Sequence, residues 1–192
     1  MELLFIRHGQ GEHTLDIPDS FQIKNPSLTS KGVNQAKLLR NKFLLTEDDV
    51  ILISPLKRTI ETALIWSENV ECRKIVTPKV GPRIFPTRPD GKTLPCDEII
   101  DFATLKSEYP DLELDSDATA NLWRGGINTL PEHEFDSVAR DLSEELRSLK
   151  RKRVFIVSHD GTITAYRQFI TGGRLSRKDF LDETGSYRLV LD

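Results

Sequence analysis

Two arginines and two histidines are the main candidates for functional residues in this chain. Arg7 and His8 directly follow one short apolar run, Arg58 lies a few residues after a second, and His159 follows a third. Guanidinium groups bind phosphate oxygens through paired N–H donors and stay charged at every relevant pH. A neutral imidazole can attack phosphorus in line, and phosphoryl transfer needs positioning and fixed positive charge more than a strong base. These residue types therefore predict a site for a dianionic phosphoryl group.

Short buried strands are needed to bring these residues together. The apolar runs at Leu3 to Ile6, Val50 to Ile53 and Val154 to Val157 predict such strands, and Lys74 to Val80 predicts another. Helical patterns separate them, and this alternation predicts a parallel sheet covered on both faces. Ligands of such sheets bind outside the carboxyl ends of the strands. We therefore expect the site residues to meet at one edge of the sheet.

The helices are predicted from caps and from apolar spacing. Thr29 predicts an N-cap, and Ser54-Pro55 predicts a helix start, because serine accepts a hydrogen bond from a free amide and proline suits the first helical position. Apolar side chains from Phe135 to Leu149 recur at helical spacing and predict a helix. Thr162 to Ile170 also has a helical pattern.

Composition limits the class of protein. A chain of 192 residues with 38% hydrophobic and 30% charged residues predicts one ordinary globular domain, residues 1–192. The net charge of −3 predicts no general attraction to nucleic acid or to anionic membranes. The first apolar run is too short to span a bilayer and has no signal-peptide cleavage site, which predicts a cytoplasmic location. Cys72 and Cys96 lack the spacing of a disulfide framework or a metal site.

Four short motifs occur in order along the chain. They are Arg7-His8-Gly9, then "SLTSKG" at 27–32, then "SPLKRTIETA" at 54–63, and then "VSHDG" at 157–161. Together they make the chain resemble the histidine phosphatase superfamily, which has the phosphoglycerate-mutase-like fold. The resemblance runs from residue 3 to about residue 165. It implies an α/β protein of three layers, α/β/α, with a mostly parallel central sheet.

The resemblance also implies roles for the matching residues. His8 would be the nucleophile that forms a phosphohistidine. Arg7, Arg58 and His159 would bind the phosphoryl group and stabilise its transition state. No metal and no cofactor is implied for this chemistry.

Further substrate contacts are expected from two loops. Gln10 and Gly11 correspond to family positions that shape the phosphate pocket, and Thr14 stands where the family usually has an asparagine. The threonine hydroxyl can still donate one hydrogen bond. In the later loop, Arg83 and Arg88 are candidates to bind further anionic groups of the substrate.

The general acid departs from the family pattern. The family places a glutamate in the loop after the third strand, whereas residues 82–97 contain none. Asp97 is the first candidate, because residues 94–97 resemble the "PCD" segment of one phosphatase branch, and Asp90 is the second. A shorter carboxylate can do the same proton transfer if it reaches the leaving oxygen.

Other polar segments are interpreted without a catalytic role. His13 and His133 lie in polar loop sequence without a partner motif, and we interpret them as surface residues. The stretch from Asp115 to Glu134, which includes Trp123 and Arg124, fits a surface loop and a lid over the site equally well.

The resemblance implies a metal-independent phosphomonoester hydrolase that acts through a phosphohistidine on a small phosphorylated metabolite. A phosphoglycerate-type mutase is one alternative, although family mutases carry insertions for which 192 residues leave little room. The other is a catalytically weakened binding or regulatory module, which the altered acid loop and Thr14 would suit. The particular substrate and the oligomeric state stay open.

Overall fold

The computed structural model describes residues 1–88 and 90–191, which contain six strands and six α-helices. The strands are β1 (Glu2–Arg7), β2 (Val50–Ile53), β3 (Arg73–Val76), β4 (Glu113–Leu114), β5 (Arg153–Ser158) and β6 (Ser186–Val190). The helices are α1 (Ser30–Lys42), α2 (Lys57–Trp66), α3 (Phe102–Glu108), α4 (Ala120–Gly125), α5 (Glu132–Ser148) and α6 (Asp160–Thr171). Within these residues, no helix is both long and apolar enough to cross a membrane.

All strands form one sheet in the order β4-β3-β2-β5-β1-β6. Every neighbouring pair is parallel except β1 and β6, which are antiparallel. The prediction of a mostly parallel sheet is therefore confirmed. The three strands predicted from the apolar runs are the adjacent β2, β5 and β1 at its centre. Strands in the middle of such a sheet are buried on both faces, which explains their uninterrupted apolar sequence.

Helices cover both faces of the sheet. Successive side chains of a strand point to opposite faces. In β5, Val154 and Ile156 belong to the core under α5 and α6, whereas Phe155 and Val157 belong to the core under α1 and α2. This arrangement confirms the three-layer α/β/α fold.

The predicted helices are present, but the predicted first residue of one helix is wrong. Thr29 caps α1, since its Oγ1 accepts a hydrogen bond from the Gly32 amide at 3.1 Å. The patterns at 135–149 and 162–170 correspond to α5 and α6. Helix α2, however, begins at Lys57 and not at Ser54-Pro55, and no side chain caps it. The Ser54 hydroxyl has a different partner, described below.

Two further segments differ from the sequence interpretation. The strand predicted over Lys74 to Val80 ends at Val76, because Pro78 has no amide for the ladder and Thr77 caps a 3-10 turn over Pro78–Val80. The stretch 115–134 is neither a plain surface loop nor a free lid. It contains α4, and Trp123 is buried, with its ring centroid 5.2 Å from that of Phe102.

Candidate active site

The site lies at the carboxyl ends of the three central strands. His8 directly follows β1, His159 directly follows β5, and Ser54 directly follows β2. Arg58 is in the first turn of α2, which starts shortly after β2. The ring centroids of His8 and His159 are 5.1 Å apart. The structure thus brings the predicted histidines and Arg58 together at one edge of the sheet.

Close packing of α1 holds the loop that follows His8. A Cβ on Gly9 would lie 2.6 Å from the Gly32 carbonyl oxygen, and a Cβ on Gly32 would lie 2.1 Å from the Gln10 carbonyl oxygen. Both separations are too short for a side chain, so both positions require glycine. The Gly9 amide also donates to Thr62 Oγ1 at 3.1 Å. These contacts keep the His8 backbone in one place.

The hydrogen bonds of His8 determine which of its ring nitrogens carries the proton. Its Nδ1 lies 2.6 Å from the Gly9 carbonyl oxygen, which can only accept, so Nδ1 carries the proton. Nε2 accepts a hydrogen bond from Arg58 Nε at 3.2 Å and therefore has a lone pair. Burial, followed by the charge of Arg58, lowers the pKa of His8 well below its usual range. The imidazole is neutral, as an attack on phosphorus requires.

His159 has the opposite tautomer. Its Nδ1 is 3.2 Å from Arg58 Nη2, and because a guanidinium only donates, Nδ1 is the acceptor. Nε2 then carries the proton and donates to Ser54 Oγ at 2.8 Å. Burial and the charge of Arg58 lower the pKa of His159 well below its usual range. Ser54 therefore belongs to the site, although its sequence predicted a helix cap. The signal for this role is its position directly after a central strand, which it shares with His8 and His159.

Arg58 connects the whole site. Its side chain is 1% exposed. Besides the two histidines, it donates from Nη1 to the Cys96 carbonyl oxygen and from Nη2 to Asp97 Oδ1, both at 2.7 Å. Burial lowers the pKa of this guanidinium, and the charge of Asp97 opposes that effect. Asp97, the first candidate for the general acid, is therefore in direct contact with Arg58, which also contacts both histidines.

The guanidinium of Arg7 is held by two groups that are not among the predicted site residues. Its Nη1 donates to the Leu181 carbonyl oxygen at 2.7 Å, and its Nη2 forms an ion pair with Asp160 Oδ2 at 3.1 Å. Its Nε is buried without a hydrogen-bond partner. An unpaired buried N–H is costly, so a ligand oxygen that accepts from it would be stabilised.

A cavity of about 680 Å³ opens above these residues. Arg7, His8, Arg58, Asp97 and His159 line its wall. Its other lining residues include cationic side chains, namely Arg83, Arg88, Lys92 and Arg177. The cavity therefore combines a nucleophilic nitrogen with an excess of positive charge, which suits an anionic ligand.

Three predicted substrate-binding residues of the loop after His8 lie outside this cavity. The Gln10 side chain accepts from Thr29 Oγ1 at 2.9 Å, and Thr14 Oγ1 donates to the Gly11 carbonyl oxygen at 2.8 Å. Neither Gln10, Gly11 nor Thr14 lines the cavity. Their part in substrate binding stays a prediction, and their observed contacts are with the loop itself and with the start of α1.

Arg83 lines the cavity, and two of its three guanidinium nitrogens bond within the protein, whereas Nε is buried without a partner. Its Nη1 donates to the carbonyl oxygens of Ile127 at 3.1 Å and Leu130 at 2.9 Å, and its Nη2 donates to Thr87. The guanidinium also stacks on Phe135, 4.1 Å from the ring centroid. These contacts fix two loops against each other. Direct binding of substrate by Arg83 likewise stays a prediction.

Asp90, the second candidate for the general acid, lies at the mouth of the cavity. Its side chain is 78% exposed and pairs with Arg88 at 3.4 Å. Arg88 lowers the pKa of the Asp90 carboxyl. Asp90 is thus an exposed carboxylate paired with Arg88, whereas Asp97 is paired with Arg58 beside the two histidines, and the choice between them as general acid stays a prediction.

His13 is buried, and its interpretation as a surface residue is wrong. The residue is 9% exposed, and its ring centroid is 5.6 Å from that of His8. Burial and the charges of Arg58 and Arg7 lower its pKa to about 3. The polar sequence around it gave no sign of this burial. His133, by contrast, has a side chain that is 81% exposed, as predicted.

Within residues 1–88 and 90–191, no group of three or more His, Cys, Asp or Glu side chains is arranged to hold a metal ion. Cys72 and Cys96 are both buried free thiols.

Comparison with known proteins agrees with this architecture. Residues 3–81 match the family model of the histidine phosphatase superfamily (branch 1). A Hydrogenobacter thermophilus protein named "Putative phosphoserine phosphatase 2" is 28% identical over 172 residues, which cover 88% of this chain and 78% of that protein.

Solved structures share the fold over nearly the whole chain. The alpha-ribazole phosphatase from Shigella flexneri has a TM-score of 0.64 and 19% identity, and the match covers 100% of this chain and 91% of that one. The phosphoserine phosphatase from Entamoeba histolytica, in complex with 3-phosphoglyceric acid, has a TM-score of 0.61 and 19% identity, with 98% and 90% covered.

Fold and site together define a three-layer α/β/α protein whose histidines and arginines meet beyond the carboxyl ends of parallel strands. The family match includes the first three sequence motifs, and the structure adds the fourth, at His159. The similarity to the histidine phosphatase superfamily (branch 1) extends over residues 3–81, and the solved structures extend the likeness of fold to nearly the whole chain.

Proposed function

We propose that this chain is a phosphomonoester hydrolase in which His8 Nε2 attacks the phosphorus atom of the substrate. The observation that carries the proposal is the state of that nitrogen. It has a lone pair, because the ring's one proton stays on Nδ1, which donates it in a hydrogen bond to the Gly9 carbonyl oxygen, and it lies beside Arg58 in a cavity rich in positive charge. A neutral, oriented imidazole next to a guanidinium suits in-line attack on a dianionic phosphoryl group.

The reaction has two balanced steps. In the first, the bond from His8 Nε2 to phosphorus forms while the bond from phosphorus to the leaving oxygen breaks. Asp97 supplies the proton to that oxygen, which leaves as an alcohol. In the second, water attacks phosphorus, Asp97 takes a proton from the water, and the bond from Nε2 to phosphorus breaks to release phosphate.

Arg7, Arg58 and His159 bind the phosphoryl oxygens in this proposal. Arg7 has an unpaired Nε, and Arg58 exchanges its hydrogen bond to His8 for one to a phosphoryl oxygen. His159 Nδ1 is an acceptor before substrate arrives, so it donates only after it takes a proton or after the Ser54 hydroxyl reverses its hydrogen bond. Fixed donors of this kind stabilise the charge that spreads over the oxygens in the transition state.

The substrate class is a small phosphorylated metabolite with a second anionic group. Lys92 and Arg177 line the cavity together with Arg88, and the first two have no carboxylate partner among the salt bridges of the described residues. The relatives named as phosphoserine phosphatases point the same way, since phosphoserine has a carboxylate. We propose that the reaction uses no metal and no cofactor.

Hydrolysis of a panel of phosphomonoesters, with EDTA present, tests this function. Phosphoserine, 3-phosphoglycerate, sugar phosphates and p-nitrophenyl phosphate would be compared by the phosphate they release. We expect turnover by the wild-type protein and by His133→Asn, whose histidine is at the surface. His8→Asn should lose at least about 10³-fold in kcat, since it removes the nucleophile.

Three other results would contradict the proposal. Turnover that His8→Asn retains would exclude the nucleophile assignment. Isomerisation of phosphoglycerate without release of phosphate would identify a mutase. A well-folded wild-type protein that turns over no ester would favour the binding module.

A further inference from the structure

The His13 ring has an unused side that faces the candidate site. Only 9% of the residue is exposed, and its ring lines the cavity beside His8. Its Nδ1 is enclosed and has no hydrogen-bond partner in the described chain. A Cβ on Gly11 would lie 2.6 Å from Nδ1 and 2.8 Å from Cε1. This edge of the ring therefore lies against Gly11, which leaves the edge with Nε2 toward the cavity.

The surroundings of the ring determine where its proton is. Burial and the charges of Arg58 and Arg7 keep the imidazole of His13 neutral, with a pKa lowered to about 3. A neutral imidazole carries one N–H. At Nδ1 that proton would have no acceptor, whereas at Nε2 it can bond to water or ligand in the cavity. His13 therefore presents an uncharged N–H donor next to the nucleophile.

Most other side-chain donors near His8 already have partners in the protein. The hydroxyl of Thr14 donates to the Gly11 carbonyl oxygen, and the side chain of Gln10 faces Thr29. Arg58 uses its N–H groups on His8, His159, Cys96 and Asp97. Arg7 Nε has no partner, and among the described side chains of the loop after His8, the His13 ring is the one that lines the cavity with an unused N–H.

We propose that His13 is a further substrate-binding residue, whose Nε2–H donates to an oxygen of the phosphoryl group that His8 attacks. This inference rests on the proposed function, because it assigns a role within the same reaction. An uncharged donor at this position adds a directed hydrogen bond without repelling Arg58 and Arg7. Its effect grows as charge develops on the phosphoryl oxygens in the transition state.

The chain holds the His13 ring in position for this role. The residue is in the middle of a 3-10 turn over Glu12–Thr14. Ser20 Oγ donates to the His13 carbonyl oxygen at 2.8 Å, which ties the turn to the next loop. Gly11 leaves the space that the ring fills. A side chain at position 11 would push the ring into the cavity.

Variants of His13 test the hydrogen bond directly. His13→Leu removes the donor, whereas His13→Gln keeps an N–H at nearly the same distance from the backbone. We expect His13→Leu to raise the Kd for inorganic phosphate, measured by calorimetry, about tenfold, and to lower kcat/KM at least as much. His13→Gln should retain most of the binding. The matched control is His133→Leu, at the exposed histidine, which should change neither quantity.

A second measurement covers the case in which His13→Leu does not fold. The protein contains four histidines, so ¹⁵N-histidine spectra are simple. We expect the Nε2 signal of His13, assigned by its loss in His13→Gln, to shift when phosphate is added. The His133 signals should stay in place.

The outcomes separate this inference from the function on which it rests. Phosphate binding by His13→Leu at wild-type strength, or an Nε2 signal that phosphate leaves unchanged, would overturn the role of His13 while the hydrolase stands. A wild-type protein that neither binds phosphate nor hydrolyses any ester would overturn the proposed function, and this inference with it.

Discussion

At the scale of single residues, the site depends on which nitrogen of each imidazole carries the proton. His8 is held by a carbonyl oxygen and offers Nε2, whereas His159 is held by a hydroxyl and offers Nδ1. Arg58 donates to both free nitrogens. Because a guanidinium cannot accept, this one side chain excludes the other tautomers in the free protein. The roles of the two histidines are therefore set by their neighbours.

Loss of the Ser54 hydroxyl should weaken catalysis without unfolding the protein. Ser54→Ala leaves His159 Nε2 without its partner, so the ring is less well oriented and its proton is less stable there. We expect kcat to fall about tenfold, which corresponds to one hydrogen bond. The matched control is Ser67→Ala, at a buried serine whose hydroxyl has no partner. Equal effects of the two substitutions on kcat would contradict the role of Ser54.

The proton donor can be identified by the choice of leaving group. Asp97→Asn keeps an oxygen for Arg58 but has no proton to give. We expect kcat to fall about 10²-fold or more with an alkyl phosphate, and much less with p-nitrophenyl phosphate, whose leaving group needs no proton. Asp90→Asn is the control, since that side chain is exposed at the cavity mouth. An equal loss on both substrates would indicate a structural role for Asp97.

At the scale of elements, the contact of α1 with the loop after β1 positions His8, the proposed nucleophile. Gly32 is inside the first turn of α1, and a Cβ there would lie 2.1 Å from the Gln10 carbonyl oxygen. Both groups belong to the backbone, so neither can move alone. The helix and the loop would have to separate, and the loop carries His8.

Gly32→Ala should therefore cost stability and activity together. We expect the free energy of unfolding, measured in urea, to fall by about 2 kcal/mol or more, as for other substitutions that overpack a core. Gly125→Ala is the matched control, because a Cβ there meets nothing within 4 Å at the end of α4. That change should be neutral or slightly stabilising. A Gly32→Ala protein as stable as the wild type would show that the helix and loop are not tightly packed.

At the scale of the whole molecule, the buried neutral histidines link folding to pH. His13 has a pKa of about 3 in the folded chain, against an ordinary value of 6.5. Below pH 6.5 the unfolded chain therefore binds more protons than the folded one, and stability falls as the pH falls toward 3. His8 and His159 act in the same direction, since burial lowers both of their pKa values.

We expect acid to destabilise the wild-type protein more steeply than His13→Leu. Each such histidine contributes up to about 1.4 kcal/mol per pH unit to the slope of the unfolding free energy. Urea unfolding at pH 7.5, 6.5, 5.5 and 4.5 measures this slope. His133→Leu is the control at a histidine whose side chain is 81% exposed, and it should keep the wild-type slope. Identical slopes for wild type and His13→Leu would mean that His13 is protonated in the folded chain.

The central strands, the three layers and the position of His8, Arg58 and His159 at one edge of the sheet could be predicted from the sequence. Apolar runs and strand ends are local patterns, and parallel sheets bring their carboxyl ends together as a rule. The extent of the chain as one domain, residues 1–192, stays a prediction.

The burial and hydrogen-bond partners of the loop residues could be seen only in the folded chain. Ser54 matches a helix cap locally but pairs with His159, 105 residues away. His13 is in polar sequence, yet the segments around Ser20 and Arg58 bury it. Arg83 resembles an anion-binding residue, and its Nη1 donates to two carbonyl oxygens more than 40 residues later in the chain. Burial and hydrogen-bond partners of such side chains come from distant segments, which no local pattern contains.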